Sequence, residues 1–383
     1  MHAFTPDAAR SFPQLRPADR VAAAERAAAA ELPTTAEEIW RYSRIEELDL
    51  DRFTPRPSLT TIEGAEDLVA GDDDWPDVIG GDAPDVFAEL NAAFMTPLVL
   101  RVPAGRVVTE PVLIEHVVTG EGTATFPRVV IDAGPDSEIT VVERVTSAAG
   151  QRVLAVPLVQ VRAAAAARVR YVGINELDAA AWQIGHQQAV GDRESTITLA
   201  TVALGGHYAR VRTEARVAGA GASTRQIALY FAGGEQMHDF RTIQDHDAPH
   251  TRSDLLFKGA VQDSARSVYT GLIRIRPHAR GTSAFQTNRN LTLSEGAWAE
   301  SVPNLEIETN DVRCSHASTV GPIDADQLFY LESRGIPTPI AARLIVLGFF
   351  DEVLDQLPAA ALAGELRGQV AAKLALDRAL VAA

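Results

Sequence analysis

The chain has 383 residues, 46% hydrophobic and 22% charged, the make-up of a globular protein long enough for more than one domain. Its net charge of −16, from 51 acidic against 35 basic side chains, argues against a nucleic-acid partner or an anionic membrane surface. Its one cysteine, Cys314, excludes an internal disulfide framework, and it excludes a self-contained iron–sulfur site, which takes about four protein ligands.

The chain opens MHAFTPDAARSF, without the basic and apolar regions of a signal peptide, and no apolar run reaches the roughly 18 residues of a membrane-spanning helix. A cytoplasmic protein is the expectation. Residues 17–32, PADRVAAAERAAAAEL, form a helix started by proline and stopped by Pro33. A second helix is predicted from Thr35, whose hydroxyl would cap it while Glu38 reaches back. On it Ile39, Tyr42, Ile45 and Leu48 form a narrow apolar stripe, and Trp40 and Tyr42 read as packing aromatics. Residues 51–94 read as irregular, broken by prolines at 55, 57, 76 and 84. Their acidic run Asp72, Asp73 and Asp74 lacks the alternating ligands and glycine of a calcium loop, which makes it a solvated turn. The helical and irregular N-terminal region is taken as 1–96.

From 97 to 322 the pattern becomes mainly β. Runs such as VVIDAG, EITVVERV, STITLA, YARVRTEARV, GLIRIR and NLEIET are rich in Val, Ile and Thr and separated by Gly or Asp turns. Gly191, Gly206 and Gly221 stand 15 residues apart, and Gly281, Gly296 and Asp311 repeat the interval. That spacing is too short for a βαβ unit and suits one side of a coil in a stacked β-solenoid. A β-sandwich, with turns about every 8 to 12 residues, is the weaker alternative. Gly205-Gly206 and Gly233-Gly234 read as solenoid corners.

Residues 237–259, MHDFRTIQDHDAPHTRSDLLFKG, gather His238, His246 and His250 with Asp239, Asp245 and Asp247. Such a set invites a metal or acid–base reading. The histidine spacings share no helical face and Pro249 argues against a helix, so polar turns bridging coils are the alternative, and the favoured one. No G-x-x-x-x-G-K-[ST] phosphate loop and no G-x-S-x-G nucleophile motif occurs, which leaves no recognisable means of hydrolysing ATP or forming an acyl intermediate.

Where the β region ends, a strand over Val312 to Ser318 would put Cys314 and His316 on one face, about 7 Å apart. A thiolate and an imidazole so placed can meet one soft metal, or Cys314 is a small buried hydrophobe beside an ordinary strand histidine. The tail, 323–383, returns to helical period. Asp324 and Asp326 favour a helix start, Gly335 a stop, and Thr338 with Pro339 a second start. In the helix that runs to Pro358, apolar residues including Leu344, Phe349 and Phe350 cover more than one face, which fits a docking platform or a cap on the solenoid. A last helix carries Leu362, Leu366, Val370 and Leu374 at four-residue intervals.

Several of these stretches resemble one family. The run CSHASTVGPIDADQLFYLESRGI, the PNLEIETNDV before it, and the frame D-x-x-T-x-x-x-H-x-x-P met by Asp239, Thr242, His246 and Pro249, followed by Ser253 and Lys258-Gly259, are similar to the SufB/SufD family of iron–sulfur cluster assembly proteins. The segment EEIWRYSRIEEL resembles the family's N-terminal helix. Length and the single cysteine match the shorter, cysteine-poor branch. The resemblance implies a right-handed parallel β-helix core and a non-enzymatic scaffold subunit. It implies pairing with a SufB-like subunit, a SufC-like ATPase docked on the tail through Leu344, Phe349 and Phe350, and a transient iron–sulfur cluster shared with the partner chain. His316 is then the implied ligand and Cys314 its neighbour. Met237 stands where many members carry a histidine, a departure that weakens a metal reading of 237–259. Whether a flavin binds the assembled complex, and whether the isolated chain forms a homodimer, stay open. The competing reading is a β-solenoid enzyme acting on acidic polysaccharides. Such enzymes are usually secreted and need a basic groove, and the charge of −16 counts against it. Cleavage of polyuronates by the purified protein would establish that reading.

Overall fold

The alternating Val, Ile and Thr runs stack into two long sheets in the computed structural model, which describes residues 2–12, 17–71 and 84–375. From Trp182 onward successive strands alternate between the sheets. Trp182–Gly191, Tyr208–Val217, Met237–His246, Arg266–Ile275 and Trp298–Ile307 lie side by side in an 11-stranded sheet. Thr196–Ala203, Ser223–Ala232, Arg252–Val261, Thr282–Thr292 and Val312–Gly321 do so in a 9-stranded one. The pairing is parallel, with Tyr208 opposite Met237, Met237 opposite Arg266 and Arg266 opposite Trp298. Each coil therefore takes about 30 residues, and the 15-residue rhythm of the sequence is one half-coil. The parallel register excludes a sandwich and makes the chain a β-solenoid. An antiparallel strand, Leu59–Glu63 against Val112–Val118, closes the second sheet at its N-terminal end.

One corner of the solenoid is a column of left-handed residues. Asp136, Ala166, Glu194, Gly221, His250 and Gly281 all have φ between 57° and 74°. Their amides bond along the corner: Asp136 donates to the Ala165 carbonyl, Ala166 to Arg193, Glu194 to Ala220, Gly221 to Pro249, His250 to Arg280 and Gly281 to Asp311. The backbone donors that a bend would leave unpaired are thus satisfied by the next coil. Gly206 and Gly234 also have positive φ, as expected of corners.

The N-terminal helices α1 (Pro6–Ser11), α2 (Pro17–Ala29) and α3 (Val86–Phe94) cover the first sheet. The helix expected from Thr35 is absent. Three 3-10 turns, Glu38–Trp40, Ile45–Glu47 and Leu50–Arg52, replace it. Thr35 bonds Glu46 through its hydroxyl, and Tyr42 sits at φ 66°, which no α-helix accommodates. Trp40 is fully buried as a packing residue, while Tyr42 is exposed and meets the edge of Trp298. The span read as irregular holds α3, whose N-cap Asp85 accepts from the amides of Phe87 and Ala88. Buried Arg20 donates to the carbonyls of Ala93 and Met95 at its other end. The run Asp72, Asp73 and Asp74 lies outside the described residues.

The tail helices are α4 (Ala325–Ser333), α5 (Thr338–Leu354) and α6 (Ala360–Ala375). Asp324 caps α4 as expected, accepting from Asp326 and Gln327, and Gly335 follows it at φ 83°. Pro337, not Thr338, holds the N-cap position of α5. Thr338 is already helical and donates its hydroxyl to Glu332. Helices α5 and α6 bury Val346, Phe350, Val353, Leu354, Leu366, Val370 and Leu374 on the outer face of the second sheet, against Ile227, Leu229 and Phe231.

Candidate functional site at the open end of the solenoid

The segment 237–259 is where the sequence concentrates reactive side chains, and the fold spends them on structure. Asp239, fully buried, accepts from Tyr208 Oη, Arg210 and Arg241 Nε, each at 2.7 Å. The other ends of those guanidinium groups donate to the carbonyls of Ile39 and Arg41, and Arg210 stacks 3.8 Å from the centre of the Trp40 ring. The carboxylate thus anchors the N-terminal segment to the sheet. Thr242 bonds Tyr269 Oη at 2.9 Å, and His246 lies 2.8 Å from both Thr251 Oγ1 and Ser253 Oγ. Lys258 donates to the Phe349 carbonyl, pairs with Glu352 and lies 4.5 Å from the centre of the Phe349 ring, tying α5 to the second sheet. His250 is one of the left-handed corners, and Met237 is buried beneath the N-terminal region. Among the described residues no three His, Cys, Asp or Glu side chains gather as a metal site.

Burial has a consequence for pH. Desolvation pushes His238 down to about 3, helped by the nearby Lys373 charge, and His246 down to about 4. Both rings are neutral in the fold but titrate near 6.5 when unfolded. Between pH 6.5 and about 4 the unfolded chain binds protons that the native chain does not, so stability falls with acidification. Above that window the two rings add no slope. Each should contribute roughly 1.4 kcal/mol per pH unit inside the window. Urea unfolding at a series of pH values should show a shallower slope for His246→Gln. Identical slopes would mean that His246 is not held neutral.

The other end of the molecule differs. Strands Trp298–Ile307 and Val312–Gly321 are the terminal members of the two sheets, and no residue of either is fully buried. Among the described residues one backbone edge of each has no strand beside it, a template for pairing with another chain. Leu305, Ile307 and Val320 expose about 40% of their surface there. Cys314 and His316 stand on the inward-facing row of the last strand, opposite Ala284 and Gln286. Their environments diverge. Cys314 is half-buried against Ile273, Ile275, Ala279 and Ala284, and that burial pushes its thiol pKa up, away from the reactive thiolate. His316 is exposed at the rim. The expected strand is therefore present and the two residues share a face, with the histidine exposed and the cysteine half-buried.

In the tail the apolar surplus divides. Phe350 is fully buried, stacked on Phe231, and Phe349 is partly covered by Lys258, so the chain's own core uses the first and much of the second. Leu344 is 49% exposed, and Ile340 (52%), Phe329 (69%) and Tyr330 (56%) lie exposed with it on α4 and α5. Phe329 and Tyr330 were not singled out from the sequence. Their signal is a short helix, ADQLFYLES, in which no residue is buried.

Known proteins share long stretches of this sequence. Residues 116–349 match the family model of the SUF system FeS cluster assembly SufBD core domain. The chain is 43% identical over 180 residues to an iron-sulfur cluster assembly SufBD family protein of Mycobacterium tuberculosis, a stretch that covers 45% of this chain and 45% of that protein. It is 29% identical to Escherichia coli SufD over 80% of this chain and 73% of that protein, and 31% identical to Bacillus subtilis SufD over 68% and 60%. The family match spans the solenoid from within Val112–Val118 through the strand bearing His316, and most of α5, and the chain belongs to the SufBD family of iron–sulfur cluster assembly proteins.

Proposed function

We propose that this chain is a non-enzymatic, cytoplasmic scaffold subunit of a SUF assembly complex. It pairs with a SufB-like subunit through the open end of the solenoid, docks a SufC-like ATPase on α4 and α5, and shares a transient iron–sulfur cluster with the paired subunit at His316. The observation that carries the reading is the last coil, two unpaired strand edges with an exposed, inward-row histidine between them. The cluster is cargo. One imidazole and one half-buried thiol leave about half of its roughly four ligand positions unfilled, so the partner supplies the rest across the interface. Like-charge repulsion also favours a different partner over a second copy, because two copies of a chain carrying −16 repel. The ATP chemistry belongs to the docked subunit, since this sequence carries no phosphate loop.

Docking is tested at α5. Leu344→Asp places a charge in the exposed apolar patch without touching the buried face, and desolvating that charge in a contact costs several kcal/mol. Co-purification from the native cell should recover an ATPase subunit with the unaltered chain and lose it with Leu344→Asp, while the solenoid partner stays bound. Undiminished recovery of the ATPase would make the helical tail a cap on the solenoid.

A further inference from the structure

One buried side chain behind the open end has no partner. Gln286, on strand Thr282–Thr292, is 2% exposed, yet among the described residues neither its amide oxygen nor its amide nitrogen has a hydrogen-bond partner. An unpaired buried polar group costs about 1–3 kcal/mol, so such a residue calls for an explanation. Its neighbours do not share the problem. On the same strand the Asn288 amide donates to Tyr230 Oη, and Asn290 donates to Asn288. Gln286 is register-paired with His316, whose side chain stands on the same inward row of the adjoining strand. Adjacent strands lie about 4.8 Å apart, which puts the imidazole within reach of a glutamine side chain. The Gln286 amide nitrogen packs directly on Gly271 of the opposite sheet, where no Cβ intervenes. A Cβ at that position would lie 2.4 Å from Gln286 Nε2 and 2.2 Å from Tyr269 Oη.

A neutral imidazole offers one lone pair, and the nitrogen that offers it is fixed by the hydrogen bond at the other nitrogen. An exposed histidine without such a bond exchanges between two tautomers. We propose that Gln286 is the positioning residue for His316. Its Oε1 accepts the N–H of one ring nitrogen, which leaves the lone pair of the other directed to the open end for a metal. The inference rests on the ligand role proposed for His316, but the tautomer itself can be read without a cluster.

The test is ring-nitrogen NMR, at mildly alkaline pH, of the full chain labelled in histidine, with His316 assigned by loss of its signals in His316→Ala. The unaltered chain should show one dominant His316 tautomer. Gln286→Met, of similar volume but without the amide, should relax it to the mixture of a free imidazole, and Gln286→Glu, which keeps an acceptor oxygen, should restore the single form. Ferrous-iron titration of the assembled complex should then show a roughly 10- to 100-fold weaker site in Gln286→Met. A tautomer mixture in the unaltered chain overturns the proposal, whatever the variants do, and so does an unchanged single tautomer in folded Gln286→Met. Neither result touches the ligand role of His316. Cluster formation without His316 would sink that role and leave the tautomer result standing.

Discussion

Asp239→Ala is expected to destabilise the protein by about 3–5 kcal/mol, the cost of stranding buried charges by removing their counter-ion. The side chains of Asp239 and Arg210 are 0% and 2% exposed, and that of Arg241 is 7% exposed. With the carboxylate gone, two guanidinium groups remain in a space that water scarcely enters, and Tyr208 Oη loses its acceptor. Both arginines also hold the carbonyls of Ile39 and Arg41, so the lesion should spread to the N-terminal segment over the first sheet. Asp239→Asn keeps the volume and part of the hydrogen bonding but not the charge, and it should fall between the two. Denaturant midpoints measure both, with limited proteolysis of residues 30–60 as the readout of detachment. A loss under about 1 kcal/mol for Asp239→Ala would mean that solvent reaches the arginines and that this cluster is no anchor.

How far the sequence carried depends on the kind of information each feature needs. The solenoid was legible because strand alternation and turn spacing are local and repeat. The corner column was only half visible, since Gly221 and Gly281 advertise positive φ while Ala166, Glu194 and His250 adopt the same conformation with nothing in their identity to announce it. Asp239 illustrates the opposite limit. Its motif was plain, but its partners Arg210 and Tyr208 arrive from the preceding coil, 29 and 31 residues away, through a register that composition does not encode. The helix expected at Thr35 failed for a related reason. The capping pattern was present, but Trp40 buries between the sheet and Phe87, and that contact overrides helical propensity. In α5 the apolar excess was real, and only packing against Phe231 and Lys258 shows which residues remain outside. His316 and Cys314 were legible as a pair, while their separation into an exposed imidazole and a half-buried thiol depends on Ala284 and Ile273 beneath the cysteine.

The central claim is that His316 at the open end takes part in holding the nascent cluster. It predicts a difference between two adjacent substitutions on one strand face. His316→Ala removes an exposed ring that belongs to none of the apolar clusters, so folding and assembly should survive. Cys314→Ala trims a half-buried thiol from the small core of Ile273, Ile275, Ala279 and Ala284, with a modest cost in stability. The decisive measurement is reconstitution with iron and sulfide of the assembled complex carrying each variant in turn, with cluster content read by absorbance and by iron and sulfide analysis. The account predicts that His316→Ala loses most of the cluster and Cys314→Ala loses less. Full cluster yield from an assembled His316→Ala complex would contradict it and leave the last strand with a purely structural part.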